Sequence, residues 1–125
     1  MVKNVLSPRQ YDVMKILWDE NRPMHASEIV KTSLNLNINT VQASLKKLVE
    51  EGYVEIPGIS YSGKVLARQY QAKISRDEYM KKIYTNLLEM SSPEKVMTSL
   101  IECEQDVNVL NRLENLIKEV KDKLL

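Results

Sequence analysis

The apolar period of the chain changes at Gly52, and that change limits what the chain can fold into. Before it, in "NINTVQASLKKLVEEG", Ile38, Val41, Leu45, Leu48 and Val49 recur at helical spacing. After it comes "YVEIPGISYSGKVLARQYQAKI". There Tyr53, Val54 and Ile56 suggest a short strand, Pro57, Gly58 and Gly63 a turn, and residues 65–74 a second strand. Gly52 suits the position just past a helix end, and Asn37 suits the cap at the beginning. A helix followed by a β-hairpin is therefore expected.

Two helices precede this pair. In "LSPRQYDVMKILWDE", Ser7 can cap, Pro8 suits the first helical position and Gln10 sits where a capping box wants Glu or Gln. Tyr11, Met14, Leu17 and Trp18 make its expected apolar stripe. Residues 26–33 read as a short second helix with Ile29 and Val30 pointing inward. Three helices and a hairpin are the outline of a winged helix-turn-helix, in which the third helix enters the major groove and the hairpin is the wing.

The third helix has an outer face suited to that task. Asn37, Asn39 and Thr40 lie at its N-terminus, where recognition helices meet bases and phosphates. Gln42 can pair with adenine through two hydrogen bonds, and Ala43 permits close approach and can touch a thymine methyl. Lys46 and Lys47 can neutralise phosphates, and Lys64 and Arg68 can do so from the wing. The bland alternative is a polar outer face of accidental composition. The surrounding helix-turn-helix and hairpin favour DNA.

After Ser75 the character changes. Ser75 with Glu78 forms a second capping box, followed by an apolar set of Tyr79, Ile83, Leu87 and Met90. Ser92 and Pro93 open another helix, and Leu110, Leu113, Leu116, Ile117, Val120 and Leu124 form a stripe on a last one over residues 107–124. Three amphipathic helices in so short a segment cannot bury all their stripes internally. A second copy is the expected cover, making a homodimer. The reading is thus mainly α with a small β-hairpin: a winged-helix DNA-binding domain over residues 1–75, then a helical dimerisation domain over 76–125.

Composition excludes several other classes. Formal net charge is +1 over 125 residues, so bulk charge does not announce a nucleic-acid protein. The first 75 residues carry ten Lys/Arg against seven Asp/Glu, and the remainder eight against ten, a weak asymmetry toward a basic N-terminal part. With one cysteine, Cys103, and one histidine, His25, neither an internal disulfide nor a Cys/His zinc site is expected. His25 reads as a loop histidine, and Met80, Met90 and Met97 as core filler. No apolar run is long enough to cross a bilayer, and "MVKNVLSPRQ" lacks the apolar core of a secretory signal, so a cytoplasmic protein is expected. No phosphate-cradling loop, nucleophile elbow or catalytic carboxylate pair is present, so neither an enzyme nor a cofactor is expected.

The order of these motifs resembles the penicillinase-repressor family, which includes repressors of β-lactamase and methicillin-resistance genes and copper-transport repressors. "LSPRQYDVMKILWDE", "NINTVQASLKKLVEEGYVE", "SGKVLARQYQAKISRDEY" and "SSPEKVMTSLIECEQD" carry the resemblance over nearly the whole chain. Its most specific parts are the start L-[ST]-x-x-[EQ]-x-x-[VIL]-M-x-x-[LIV]-W and the third helix closing on "LVEEGYV". The resemblance implies a dimeric winged-helix repressor binding inverted repeats in operator DNA. The family carries threonine, and glutamine or arginine, at the positions of Thr40 and Gln42. It commonly has lysine where Asn39 stands, which leaves open which bases are read here.

Two departures concern release from DNA. The β-lactam-responsive members are cut at an Asn-Phe bond, and this chain has no Phe. The copper-responsive members carry a C-terminal cysteine cluster, whereas this chain ends in "VKDKLL". A signal-dependent protease acting on the dimerisation domain, near Ser99 and Leu100, stays open as a partner. The leading rival to a DNA-binding repressor is a winged-helix protein–protein interaction module without sequence-specific DNA binding.

Overall fold

Ser7 starts the first helix as its sequence promises. In α1 (Pro8–Glu20) the Ser7 hydroxyl accepts from the Gln10 backbone N–H (3.3 Å), and the Gln10 side-chain Oε1 accepts from the Ser7 N–H (2.9 Å). This reciprocal bonding lets Gln10 be buried without an orphaned amide oxygen. The buried stripe is Gln10, Val13, Met14 and Leu17, which keeps Met14 and Leu17 of the expected stripe and takes Gln10 and Val13 in place of Tyr11 and Trp18. Tyr11 is 43% exposed and Trp18 half-buried. Both stripes satisfy helical spacing, and packing against the neighbouring helix, not period, selects between them. The helix stops at Asn21, which takes a left-handed conformation (φ 50°) and donates its N–H to the Leu17 carbonyl.

The structure is a computed structural model and describes residues 5–125. The reading of the extreme N-terminus as lacking a secretory signal rests partly on residues 1–4, which lie outside the described residues. The chain forms two compact units, one running through Ile83 and the other spanning Tyr84–Leu125.

In the first unit α2 (Ala26–Thr32) and α3 (Ile38–Glu50) follow α1. Glu51 caps α3 and Gly52 leaves it with φ 83°, a left-handed value that glycine adopts without strain. β1 (Val54–Ser62) and β2 (Val65–Ala72) then pair antiparallel. Here the expectation needs correction. Pro57 and Gly58 do not turn the chain; they lie inside β1, where the register shifts between Glu55 and Gly58. The turn is at Gly63 and Lys64, with Gly63 at φ 67°. A Pro-Gly pair reads locally as a turn, but a bulge on an outer strand tolerates a proline. The second strand ends at Ala72, short of residue 74. Met24 bridges to Tyr70 by two 2.8 Å backbone bonds, so β2 is paired on both sides at its base.

The core of this unit is apolar and continuous. Val13, Met14 and Leu17 of α1 meet Ile29 of α2, Val41, Leu45 and Leu48 of α3, and Met24 and Val54. Each such side chain, fully buried, contributes roughly 1.5–3 kcal/mol. α4 (Arg76–Met90) begins with the Ser75–Glu78 capping box and sends Tyr79 into this core. The Tyr79 hydroxyl accepts from the Leu6 N–H (2.9 Å), and its ring lies 5.6 Å from Trp18 and 6.1 Å from Tyr53. The Trp18 indole N–H donates to the Ile74 carbonyl (2.9 Å), so the polar atoms of Trp18 and Tyr79 are both satisfied. Burial raises the Tyr53 hydroxyl above its ordinary pKa, with Tyr79 and Glu51 adding to the effect.

In the second unit Ser92 caps α5 (Pro93–Cys103), accepting from Lys95 N–H, and Asp106 caps α6 (Val107–Leu124). No residue of α5 or α6 is buried. Met90, expected in an apolar set, is exposed, as is Met80. Asn86 is buried with its side-chain amide nitrogen unpartnered. Among the described residues no helix is long and apolar enough to cross a membrane.

Candidate nucleic-acid interface

The helix-turn-helix is built by its turn. The Ser33 hydroxyl donates to the Val30 carbonyl (2.9 Å) and accepts from the Leu36 N–H (3.3 Å), while Leu36 is buried beneath. Asn37 then caps α3, its side-chain oxygen accepting from the Thr40 N–H (2.9 Å). That oxygen is committed to the cap, although the residue is exposed. Val41, Ser44, Leu45 and Leu48 anchor the inner side of the helix. The outer side presents Asn39, Gln42, Ala43, Lys46 and Lys47, all exposed, with Thr40 half-buried at one margin.

One residue assigned to the inner stripe does not stay there. Ile38, the first residue of α3, is 40% exposed. It shares a flank with Gln42, one turn later, and the two border a cleft of about 350 Å³ between α3 and the wing. His25, Ser27, Val65 and Arg68 also line it.

The wing is fastened beside α3 by polar contacts that the sequence did not disclose. His25, 6% exposed, places Nδ1 3.1 Å from the Arg68 carbonyl oxygen and Nε2 2.9 Å from the Ser60 hydroxyl. The carbonyl can only accept, so Nδ1 carries a proton, and in the neutral ring Nε2 accepts from Ser60. Nearer the tip, the Ser27 and Ser62 hydroxyls lie 2.9 Å apart. These partners stand 35 to 43 residues from His25 and Ser27, and no local pattern marks them. The backbone N–H of His25 also donates to the Glu28 carboxylate (3.0 Å), which a 2.8 Å contact with Arg22 reinforces. The His25 N–H, then Arg22, hold the Glu28 carboxyl below its ordinary pKa.

Of the expected DNA-contacting residues, the structure brings Asn39, Gln42, Ala43 and Lys46 onto one surface. Arg68 lies across the cleft from Gln42, and Lys64 stands apart at the hairpin tip. Arg22 forms salt bridges with Glu20 and Glu28, and Arg76 with Asp19, whereas Lys46, Lys47, Lys64 and Arg68 take part in none among the described residues. The stripe assigned to dimerisation lies on α6, with Leu110 and Leu113 half-buried and Leu116, Ile117, Val120 and Leu124 exposed. Among the described residues no three His, Cys, Asp or Glu side chains cluster to hold a metal.

A helix-turn-helix whose exposed third-helix face lies beside a hairpin wing defines a winged-helix protein. The chain belongs to the penicillinase repressor family, whose profile matches residues 6–119, and it is a DNA-binding transcription regulator of the repressor type. It is similar to a possible transcriptional regulator from Methanosarcina mazei Go1, at 24% identity and a TM-score of 0.53, covering 80% of this chain and 81% of that one. A structure of a complex of hsRosR-S1 matches at 17% identity and a TM-score of 0.46, covering 96% of each chain. No curated protein matches the chain significantly.

Proposed function

We propose that the protein is a homodimeric transcriptional repressor that grips palindromic operator DNA with α3 and the wing. The observation that carries this is the exposed α3 face, Asn39, Gln42, Ala43 and Lys46, adjoining a wing whose Lys64 and Arg68 have no acidic partner. Residues 1–75 serve as the DNA-binding domain, with Asn37, Thr40 and Lys47 flanking the reading face. Residues 76–125 serve as the dimerisation domain. Support for the second role is that α5 and α6 bury no residue within one chain, so their apolar stripes need a second copy. Half-sites then lie one or more turns apart, about 10 bp per turn. Phosphate neutralisation recruits the DNA, and a few base contacts give specificity.

The test is to recover the DNA fragments that the purified full-length protein selects, then to measure Gln42→Ala on the selected site and on random DNA. Loss of about 1–3 kcal/mol on the selected site, with much less on random DNA, is expected. Equal losses would remove Gln42 from base reading. A protein-docking module would select no sequence.

A further inference from the structure

Ile38 is an exposed branched aliphatic residue at the start of a helix whose exposed face otherwise carries polar side chains, Ala43 and lysines. A single aliphatic side chain at 40% exposure is ordinary on a protein surface, and what sets Ile38 apart is its place on the flank that Gln42 occupies. It contributes nothing to the fully buried core. It stands four residues before Gln42, and the two border the cleft between α3 and the wing. Residues four apart on a helix hold their Cβ atoms roughly 5–6 Å apart. Base pairs stack about 3.4 Å apart. A residue beside Gln42 at that distance therefore meets the duplex within about two base pairs of the base Gln42 reads.

The chemistry of the groove narrows the choice. Major-groove edges display hydrogen-bond donors and acceptors, which Ile38 cannot use. Their one apolar group is the C5-methyl of thymine. The remaining cleft lining suits a DNA strand: Val65 and Ala67 supply an apolar wall, Arg68 a cation, and no carboxylate is present. We infer that Ile38 is a specificity-determining residue that reads a thymine methyl within about two base pairs of the adenine paired by Gln42. This rests on the operator-binding reading above.

Deoxyuridine in place of thymidine removes that methyl and leaves the base pair intact. The experiment uses the full chain and the duplex it selects, with each thymine of a half-site replaced singly by deoxyuridine. Burying one methyl-sized group is worth ~0.8 kcal/mol, which is about fourfold in Kd. The wild type should therefore lose about fourfold on substitution of one thymine near the Gln42-dependent adenine. Ile38→Ala should bind the two duplexes equally, and Ile38→Val should keep a preference for thymine. Circular dichroism confirms that each variant is folded, as expected for a half-exposed position. Indifference of the wild type at every thymine within two base pairs would overturn the assignment. So would discrimination that survives in Ile38→Ala, because the methyl is then read elsewhere. Both leave the operator-binding reading standing. A protein that selects no sequence overturns that reading and this assignment together.

Discussion

Replacing His25 with leucine should loosen the wing and leave the helical core intact. The imidazole makes two ring contacts across the join, 3.1 Å to the Arg68 carbonyl and 2.9 Å to the Ser60 hydroxyl. A hydrogen bond of this kind contributes about 0.5–1.5 kcal/mol net. Leucine removes both and leaves the backbone bond from residue 25 to Glu28 in place, so the change should cost about 1–3 kcal/mol in holding the hairpin to α2. That free energy corresponds to roughly 5- to 150-fold faster opening of the hairpin ladder. Amide hydrogen exchange reads it directly. Ladder amides between residues 59 and 68 should accelerate by that factor, while those of Met14 and Leu45, in the buried helices, keep their wild-type rates. The Ser27–Ser62 contact nearer the tip remains, so the hairpin should loosen without separating. Unchanged exchange in the wing would show that the histidine bonds contribute nothing net. Equal acceleration in α1 and α3 would show that they stabilise the whole unit and not the wing, and either result refutes the reasoning.

Lys64→Ala should lower the salt slope of log K by about 0.9 for each phosphate that the lysine neutralises in the wild type, measured by DNA titration across ionic strengths. An unchanged slope would take the hairpin tip off the backbone-contacting surface. Removing residues 107–125 should leave a folded winged helix that sediments as a monomer at micromolar concentration and binds one half-site weakly, because linked half-sites gain through effective concentration. The Glu28 carboxyl has a depressed pKa in the folded chain, so its contribution is present above the unfolded range, about 4.3, and is lost as pH falls through the lower folded value. Glu28→Gln should accordingly flatten that part of the stability–pH curve, followed by urea unfolding between about pH 5 and 2.

What could be read from the sequence was what is decided locally. The Ser7, Asn37 and Ser92 caps each follow from a side chain reaching a backbone group within three residues, and the end of α3 follows from a glycine free to adopt a left-handed φ. Where packing decided, the sequence was ambiguous. Tyr11 and Val13 both fit a helical stripe, and only the neighbouring helices select Val13. Ile38 fits the inner stripe by period, yet at the first turn of α3 the core no longer covers that flank. The wing latch was not legible, because His25 has no ligand-like neighbours in sequence and meets Ser60 and Arg68 only after the hairpin folds back. The α3 face was legible because it is one helix long. Its relation to the wing was not.

Pro57 has a consequence beyond bending β1. β2 is flanked by β1 and, at its base, by Met24, whereas β1 has no strand on its far side among the described residues. Such a free edge, nine residues long here, is a template on which other chains can add strands, and its Ile59 and Tyr61 would reward them. A proline has no N–H to offer an incoming strand, and the register shift beside it breaks the even spacing that an added strand must match. The wing can thus carry exposed apolar side chains while resisting edge-to-edge polymerisation, because Pro57 and the register shift beside it spoil the template.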